Sequence, residues 1–145
     1  MATERNTENE TGRLVLRLAN TIIKNRNRHL EALNLTAGQA DALQFFLAHA
    51  EATVTELKDH LGITHQTAWG IVQRMAEKGL VTQRQSETDA RCRLVLPTEA
   101  GRQLGIRMTY NRERTGRKLL GGMPEEEEAV FIRCLERALK NVEND

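Results

Sequence analysis

Aromatic side chains are scarce in this chain, 3% of 145 residues, with one Trp, one Tyr and three Phe. A core with so few rings rests on Leu, Ala and Ile, which suits a helical protein. Cysteine is scarce too. Cys92 and Cys134 lie far apart in unlike surroundings, and free thiols are the expectation in a reducing compartment. No hydrophobic run is long enough to span a bilayer. The first ten residues are polar, without the apolar core of a signal peptide. These absences predict a cytoplasmic protein with no membrane partner. Serine occurs once, at Ser86, with no His nearby in sequence. There is no Gly-rich phosphate loop, metalloprotease helix motif or nucleophile constellation, so an enzyme is disfavoured and no cofactor is expected. His29, His49, His60, His65 and the cysteines show no paired ligand spacing, which argues against a metal sensor.

Net charge is also lacking. The formal value of +1 is no bulk nucleic-acid signature, so any basic surface must be local. Arg13, Arg17, Lys24, Arg26 and Arg28 all precede Glu31, and Arg102, Arg107, Arg112, Arg114, Arg117 and Lys118 share a segment with only Glu113. With 39% hydrophobic and 28% charged residues the chain is globular and of one-domain size.

The stretch from Thr53 to Thr98 is the most informative. Thr53 and Glu56 have the spacing of a capping box, and Val54, Leu57 and Leu61 recur on one face of a helix over residues 54–61. Gly62 allows a left-handed turn, and Ile63 plugs the corner. Thr64 caps a second helix that runs to about Lys78 and stops at Gly79. At roughly 100° per residue, Ala68, Ile71, Val72 and Met75 fall inward. Gln66, Gly70, Gln73 and Glu77 fall opposite, flanked by Thr67, Trp69 and Arg74. Thr64, His65, Gln66 and Thr67 thus present hydrogen-bonding groups at a helix N-terminus. Gln can bond adenine bidentately, and Thr can meet bases or phosphates. Taken alone, this is equally an ordinary solvated face.

The residues from Leu80 to Thr98 read as a hairpin, with a turn over Ser86 to Ala90. Its tip carries Asp89, Arg91 and Arg93. An Asp can hold a guanidinium in a fixed direction, and an Arg so held suits a narrow minor groove. A surface ion pair worth about 0–1 kcal/mol is the plainer explanation of the tip by itself.

Together these residues resemble the multiple antibiotic resistance regulator (MarR) family of winged-helix transcription factors. The resemblance is carried by Leu35-Thr36-Ala37-Gly38-Gln39, Glu56-Leu57, Leu61-Gly62-Ile63-Thr64, Val72 through Val81, Arg84, Asp89-Ala90-Arg91 and Pro97-Thr98-Glu99-Ala100-Gly101. It implies a recognition helix from Thr64 to Arg74, with Arg91 as the wing arginine, Asp89 as its acidic partner and Arg84 on the first wing strand. Three departures stand out. Gly70 replaces a base-reading polar residue, Trp69 is bulky for its place, and Pro97 replaces a Leu and is expected to end the second wing strand early.

The expected fold is mainly α with a small β wing, a winged helix-turn-helix flanked by N- and C-terminal dimerisation helices. Residues 1–10 read as a disordered tail, 11–34 as the N-terminal dimerisation helix, 35–98 as the DNA-binding region and 99–145 as the C-terminal dimerisation helices. Leu14, Leu18, Ile22 and Ile23 form the first apolar stripe, and Ala40, Leu43, Phe46 and Leu47 the next. Pro124 suits the first turn of the last helix, where Glu125 to Glu128 favour its positive end. The ends hold too much apolar surface for a compact winged helix to cover, and the resemblance implies a homodimer in a bacterial cytoplasm. It also implies repression at a pseudo-palindrome in double-stranded DNA, relieved by a small aromatic or phenolic effector. Arg17, His29, Phe45, Phe46, His49 and Trp69 are the candidates for that effector's cleft. Two alternatives stay open: a redox regulator, with flanking arginines lowering the Cys92 pKa, and a protein-interaction module without DNA binding.

Overall fold

Four threonines, Thr36, Thr53, Thr64 and Thr98, start helices here, each with its hydroxyl. Thr36 accepts the N–H of Gln39 at 3.1 Å while the Gln39 side chain accepts the Thr36 N–H at 3.4 Å, a complete capping box. Thr53 and Thr64 accept the N–H groups of Glu56 and Thr67 at 3.1 and 3.2 Å. The Thr53 box is only half made. Its backbone belongs to a strand, so the Glu56 carboxylate takes the Thr53 hydroxyl at 3.3 Å instead.

The computed structural model describes residues 6–145. The elements follow as α1 (Thr7–Ala32), α2 (Ala37–Ala48), β1 (Ala52–Thr53), α3 (Val54–Leu61), α4 (His65–Glu77), β2 (Val81–Gln85), β3 (Arg93–Pro97), α5 (Glu99–Leu119) and α6 (Glu125–Glu143). The protein is mostly helical with a small antiparallel sheet of order β1-β3-β2. Two compact units divide it, Met1–Asn111 and Arg112–Asp145. None of the described helices is long and apolar enough to cross a membrane.

In the first unit α2 is the buried element. Ala40, Ala42 and Leu43 are fully enclosed, and Phe46 is 1% exposed. Leu57 from α3, Val72 and Met75 from α4, and Val95 from β3 pack into the same cluster. Side chains of this kind contribute roughly 1.5–3 kcal/mol each on burial. Leu47, expected on the same face of α2, is 38% exposed instead. Gly62 closes α3 in the left-handed conformation, φ 65° and ψ 36°, and Ile63 packs against the core from the turn.

The base of the wing is tied to α5 by one residue. Thr98 donates its hydroxyl to the Gly79 carbonyl at 2.6 Å and its N–H to the Leu80 carbonyl at 3.0 Å. The same hydroxyl accepts the Gly101 N–H at 3.1 Å, which starts α5. Gly101 has no substitute there, because an added Cβ would overlap the Leu80 carbonyl oxygen.

The bounds of the elements differ from the sequence expectations in four places. Residues 7–10, expected in a disordered tail, form the first turn of α1, where Asn6 accepts the Asn9 N–H at 3.1 Å; residues 1–5 of that tail lie outside the described residues. The two-residue strand β1 has no periodicity of its own and exists through pairing with Val95 and Leu94. Pro97 does not cut β3 short but forms its last residue, opposite Val81. β1 reaches only Val95 and Leu94, so the N–H that Pro97 lacks is not needed on that side. Pro124 caps α6 rather than entering its first turn.

The second unit holds the end of α5 and all of α6, and Gly122 at φ 82° turns the chain between them. The four glutamates begin α6 at its positive end. No α6 residue is buried in this unit, and Val130, Leu135, Leu139 and Val142 are 47%, 46%, 61% and 72% exposed.

Candidate nucleic-acid interface

The second helix of the helix-turn-helix, α4, divides as its sequence predicts. Ala68, Val72 and Met75 are fully buried and Ile71 packs at their edge. His65, Gln66, Thr67 and Arg74 are exposed, Trp69 is 40% exposed, and Gly70 and Gln73 are half-buried. Thr64 and Thr67 have unequal roles. Thr64 donates its proton to Thr67 Oγ1 at 2.8 Å while capping the helix, so its hydroxyl serves the fold. Among the described contacts, Thr67 keeps its own proton to donate outward. A Cβ at Gly70 would meet nothing within 4 Å, so this glycine is not required by packing.

The wing tip is knitted by short polar side chains. Ser86 Oγ accepts the N–H groups of Thr88 and Asp89, both at 3.3 Å, and Gln85 Nε2 donates to the Ala90 carbonyl at 2.7 Å. Asp89 departs from its expected role. Its Oδ1 accepts the backbone N–H of Arg91 at 3.0 Å, and no described ion pair joins it to the Arg91 or Arg93 guanidinium. The carboxylate shapes the turn, the usual local behaviour of Asp in a tight loop. Arg91, Arg93 and Arg74 therefore carry charge that no described carboxylate neutralises. Arg84 differs from them, because it is ion-paired with Glu51.

At Cys92 the expected lowering of the pKa is reversed. Asp89 Oδ2 accepts its Sγ–H at 3.5 Å and sets a negative charge beside it. That hydrogen bond, the Asp89 charge, slight desolvation and the more distant Glu56 all hold the thiol above its ordinary pKa. The flanking arginines do not deliver the lowered value expected of them. Among the described residues no cluster of three His, Cys, Asp or Glu could hold a metal ion.

Of the cleft candidates, Phe45, Phe46 and His49 meet. Phe45 stacks on His49 at 4.4 Å and lies edge-on to Phe46 at 5.5 Å. His60 completes the group, 4.7 Å from Phe45, and was missed because α3 places it there from 15 residues away. Phe46 is core and closed to any ligand. Arg17 stands exposed on α1, His29 is half-buried in its last turn, and Trp69 belongs to α4.

The family pattern described as MarR family matches residues 33–91, the helix-turn-helix and most of the wing. A curated relative, the organic hydroperoxide resistance transcriptional regulator of Bacillus subtilis (strain 168), is 35% identical over 72 residues. That alignment takes in 50% of this chain and 49% of the relative, so the match spans about half the relative's length. Likeness to a solved MarR family protein from Bacillus stearothermophilus extends over 97% of this chain and 99% of that one, at 26% identity and a TM-score of 0.82. The chain is similar to MarR family proteins in sequence over residues 33–91 and in fold over 97% of its length. Among MarR-type folds, a point mutant of S. aureus MepR bound to an oligodeoxyribonucleotide also superimposes. It has a TM-score of 0.72 over 91% of this chain and 97% of that one, at 20% identity.

Proposed function

We propose that this protein is a sequence-specific DNA-binding transcriptional regulator of the MarR family. It acts in a bacterial cytoplasm as a homodimer, occludes a promoter at a pseudo-palindromic operator and is modulated by a small molecule. The observation that carries this reading is the outward face of α4 together with the wing tip. A capped helix presents His65, Gln66, Thr67, Trp69, Gln73 and Arg74, and the wing adds Arg91 and Arg93 free of carboxylate partners. Hydrogen-bonding side chains on a helix suit major-groove base edges, and unpaired arginines suit phosphate or a narrow minor groove. The oligodeoxyribonucleotide on the MepR mutant supports the same reading.

The dimer is supported by apolar surface in each unit. Leu14, Val15, Leu16, Leu18 and Ile23 on α1 are 41–65% exposed, and α6 carries its own uncovered stripe. A two-fold dimer meets half-sites about 34–36 Å apart, one helical turn.

The test is selection of tight binders from a random duplex library, with affinity titrated against salt. Enrichment of a palindrome with one-turn spacing is expected. Arg91→Ala should then reduce the salt dependence by about one phosphate-like contact. Gln66→Ala should relax selectivity at one base position. Weak and unselective binding by the full chain would remove the reading.

A further inference from the structure

The one tryptophan of the chain is left uncovered on α4. Trp69 is 40% exposed, and no ring stacks on it among the described residues. Tryptophan is a highly buried residue on average. Here it is neither in the core cluster nor among the half-buried residues packed against that cluster. An indole N–H usually finds an acceptor once buried, and this one donates to no described residue.

Its neighbours on the helix show what the ring is suited to meet. Trp69 lies roughly 60° around α4 from Gln66 and roughly 40° from Gln73, so the indole and two amides share one side. Neither amide makes a hydrogen bond among the described residues. From His65 to Gln73 the helix carries no Asp, Glu, Lys or Arg. A neutral surface of amides and one apolar ring offers little to a phosphate. It matches the floor of a major groove, where a Gln amide bonds adenine N6 and N7 and the thymine of an A·T pair presents its C5-methyl. Gly70 adds no side chain that would hold the helix off that floor, and the space at its Cβ is open. A second copy of the chain is the other candidate to cover the ring. However, the stripes of exposed apolar residues lie on α1 and α6, whereas Trp69 is the one exposed large hydrophobic residue described on α4.

We infer that Trp69 reads the 5-methyl group of a thymine in each half-site, beside the adenine that Gln66 or Gln73 holds. This rests on the reading that α4 enters the major groove. It adds which base is selected there and how: thymine, by apolar contact rather than by hydrogen bonding.

Deoxyuridine isolates the contact, because uracil keeps the pairing edge of thymine and lacks only the methyl. Each thymine of the selected duplex is replaced singly, and affinity is measured for the full chain. At one thymine per half-site the replacement should weaken wild-type binding about 4-fold, the effect of uncovering one methyl-sized group. Trp69→Ala should bind that duplex and its parent equally well. Trp69 is also the only tryptophan, so wild-type fluorescence reports this side chain without any substitution. Its quenching by acrylamide should fall when the selected duplex is bound. Indifference of every position to deoxyuridine, an equal loss in Trp69→Ala, or quenching unaltered by bound duplex overturns the inference. Shielding that rises with protein concentration and not with duplex assigns the ring to a second copy and overturns it as well. If no duplex is enriched, the DNA reading fails and the thymine contact falls with it. Enrichment of a duplex that tolerates deoxyuridine throughout removes the thymine contact alone.

Discussion

Arg84 and Glu51 form an ion pair across the middle strand of the sheet. Arg84 lies on β2 opposite Leu94 of β3, and Glu51 precedes β1 on the far side of that strand. The charge of this wing arginine is thereby partly neutralised from within. The side chains are 47% and 54% exposed, so water screens the pair. Glu51→Gln should change stability by less than about 1 kcal/mol. Freed, Arg84 should tighten DNA binding at low salt and steepen the dependence of log K on log salt by about 0.9. An unchanged slope would show that Arg84 does not reach phosphate even when released.

Gly70 poses a choice between fold and function. Glycine inside a helix costs about 0.8–1 kcal/mol relative to alanine, and a Cβ there would meet nothing within 4 Å. Gly70→Ala should raise the unfolding free energy by about that amount, measured by chemical denaturation. If the bare backbone lets α4 sit deep in a groove, the same variant should bind its duplex more weakly. A variant that is stabler and binds equally well would assign Gly70 no part in recognition.

Gly101 should behave in the opposite way. A Cβ there would overlap a main-chain oxygen, which cannot rotate aside as a side chain can. Gly101→Ala should destabilise the protein by about 1–3 kcal/mol, the usual cost of overpacking. Gly116→Ala on the same helix, with open space at its Cβ, serves as the control and should be neutral or stabilising. Equal unfolding midpoints for the two variants would contradict the packing of Gly101 on the wing base.

The pKa of the Cys92 thiol is raised by Asp89, so its alkylation should be slow. In a Cys134→Ser background, iodoacetamide near pH 8 should modify Cys92 several-fold faster once Asp89 is replaced by Asn. The sign follows from the cause: losing the acceptor and its charge lowers the raised pKa, so more thiolate is present at a given pH. Equal rates before and after the substitution would show that Asp89 does not control this thiol.

The helices around the turn were legible because their boundaries are chemical. Thr53, Thr64 and Gly62 mark starts and a stop by local hydrogen bonding and backbone preference, and the spacing of Ala68, Val72 and Met75 marks the buried side. The wing was legible in outline through its alternation and turn residues. What escaped was set by distance along the chain. The partner of Arg84 lies 33 residues away and depends on a strand of only two residues. The hydrogen bond from Lys78 Nζ to the Asn34 carbonyl spans 44 residues. Asp89 was misread for a subtler reason. Its sequence position beside arginines suggested charge pairing, but in a tight loop the nearest unsatisfied groups are backbone N–H donors, and these claimed the carboxylate. Phe46 shows the same limit among ring residues, since sequence alone does not separate a core phenylalanine from one that lines a cleft.

The closure made by Thr98 has a consequence for how this protein can vary. One residue fastens the chain leaving α4 to the chain entering α5, and the hairpin beyond it loops out and back between these fixed points. The tip then resembles a cartridge seated in a socket. Its length and charge can be rewritten without re-engineering the core, so whatever the wing touches can change while the scaffold stays the same.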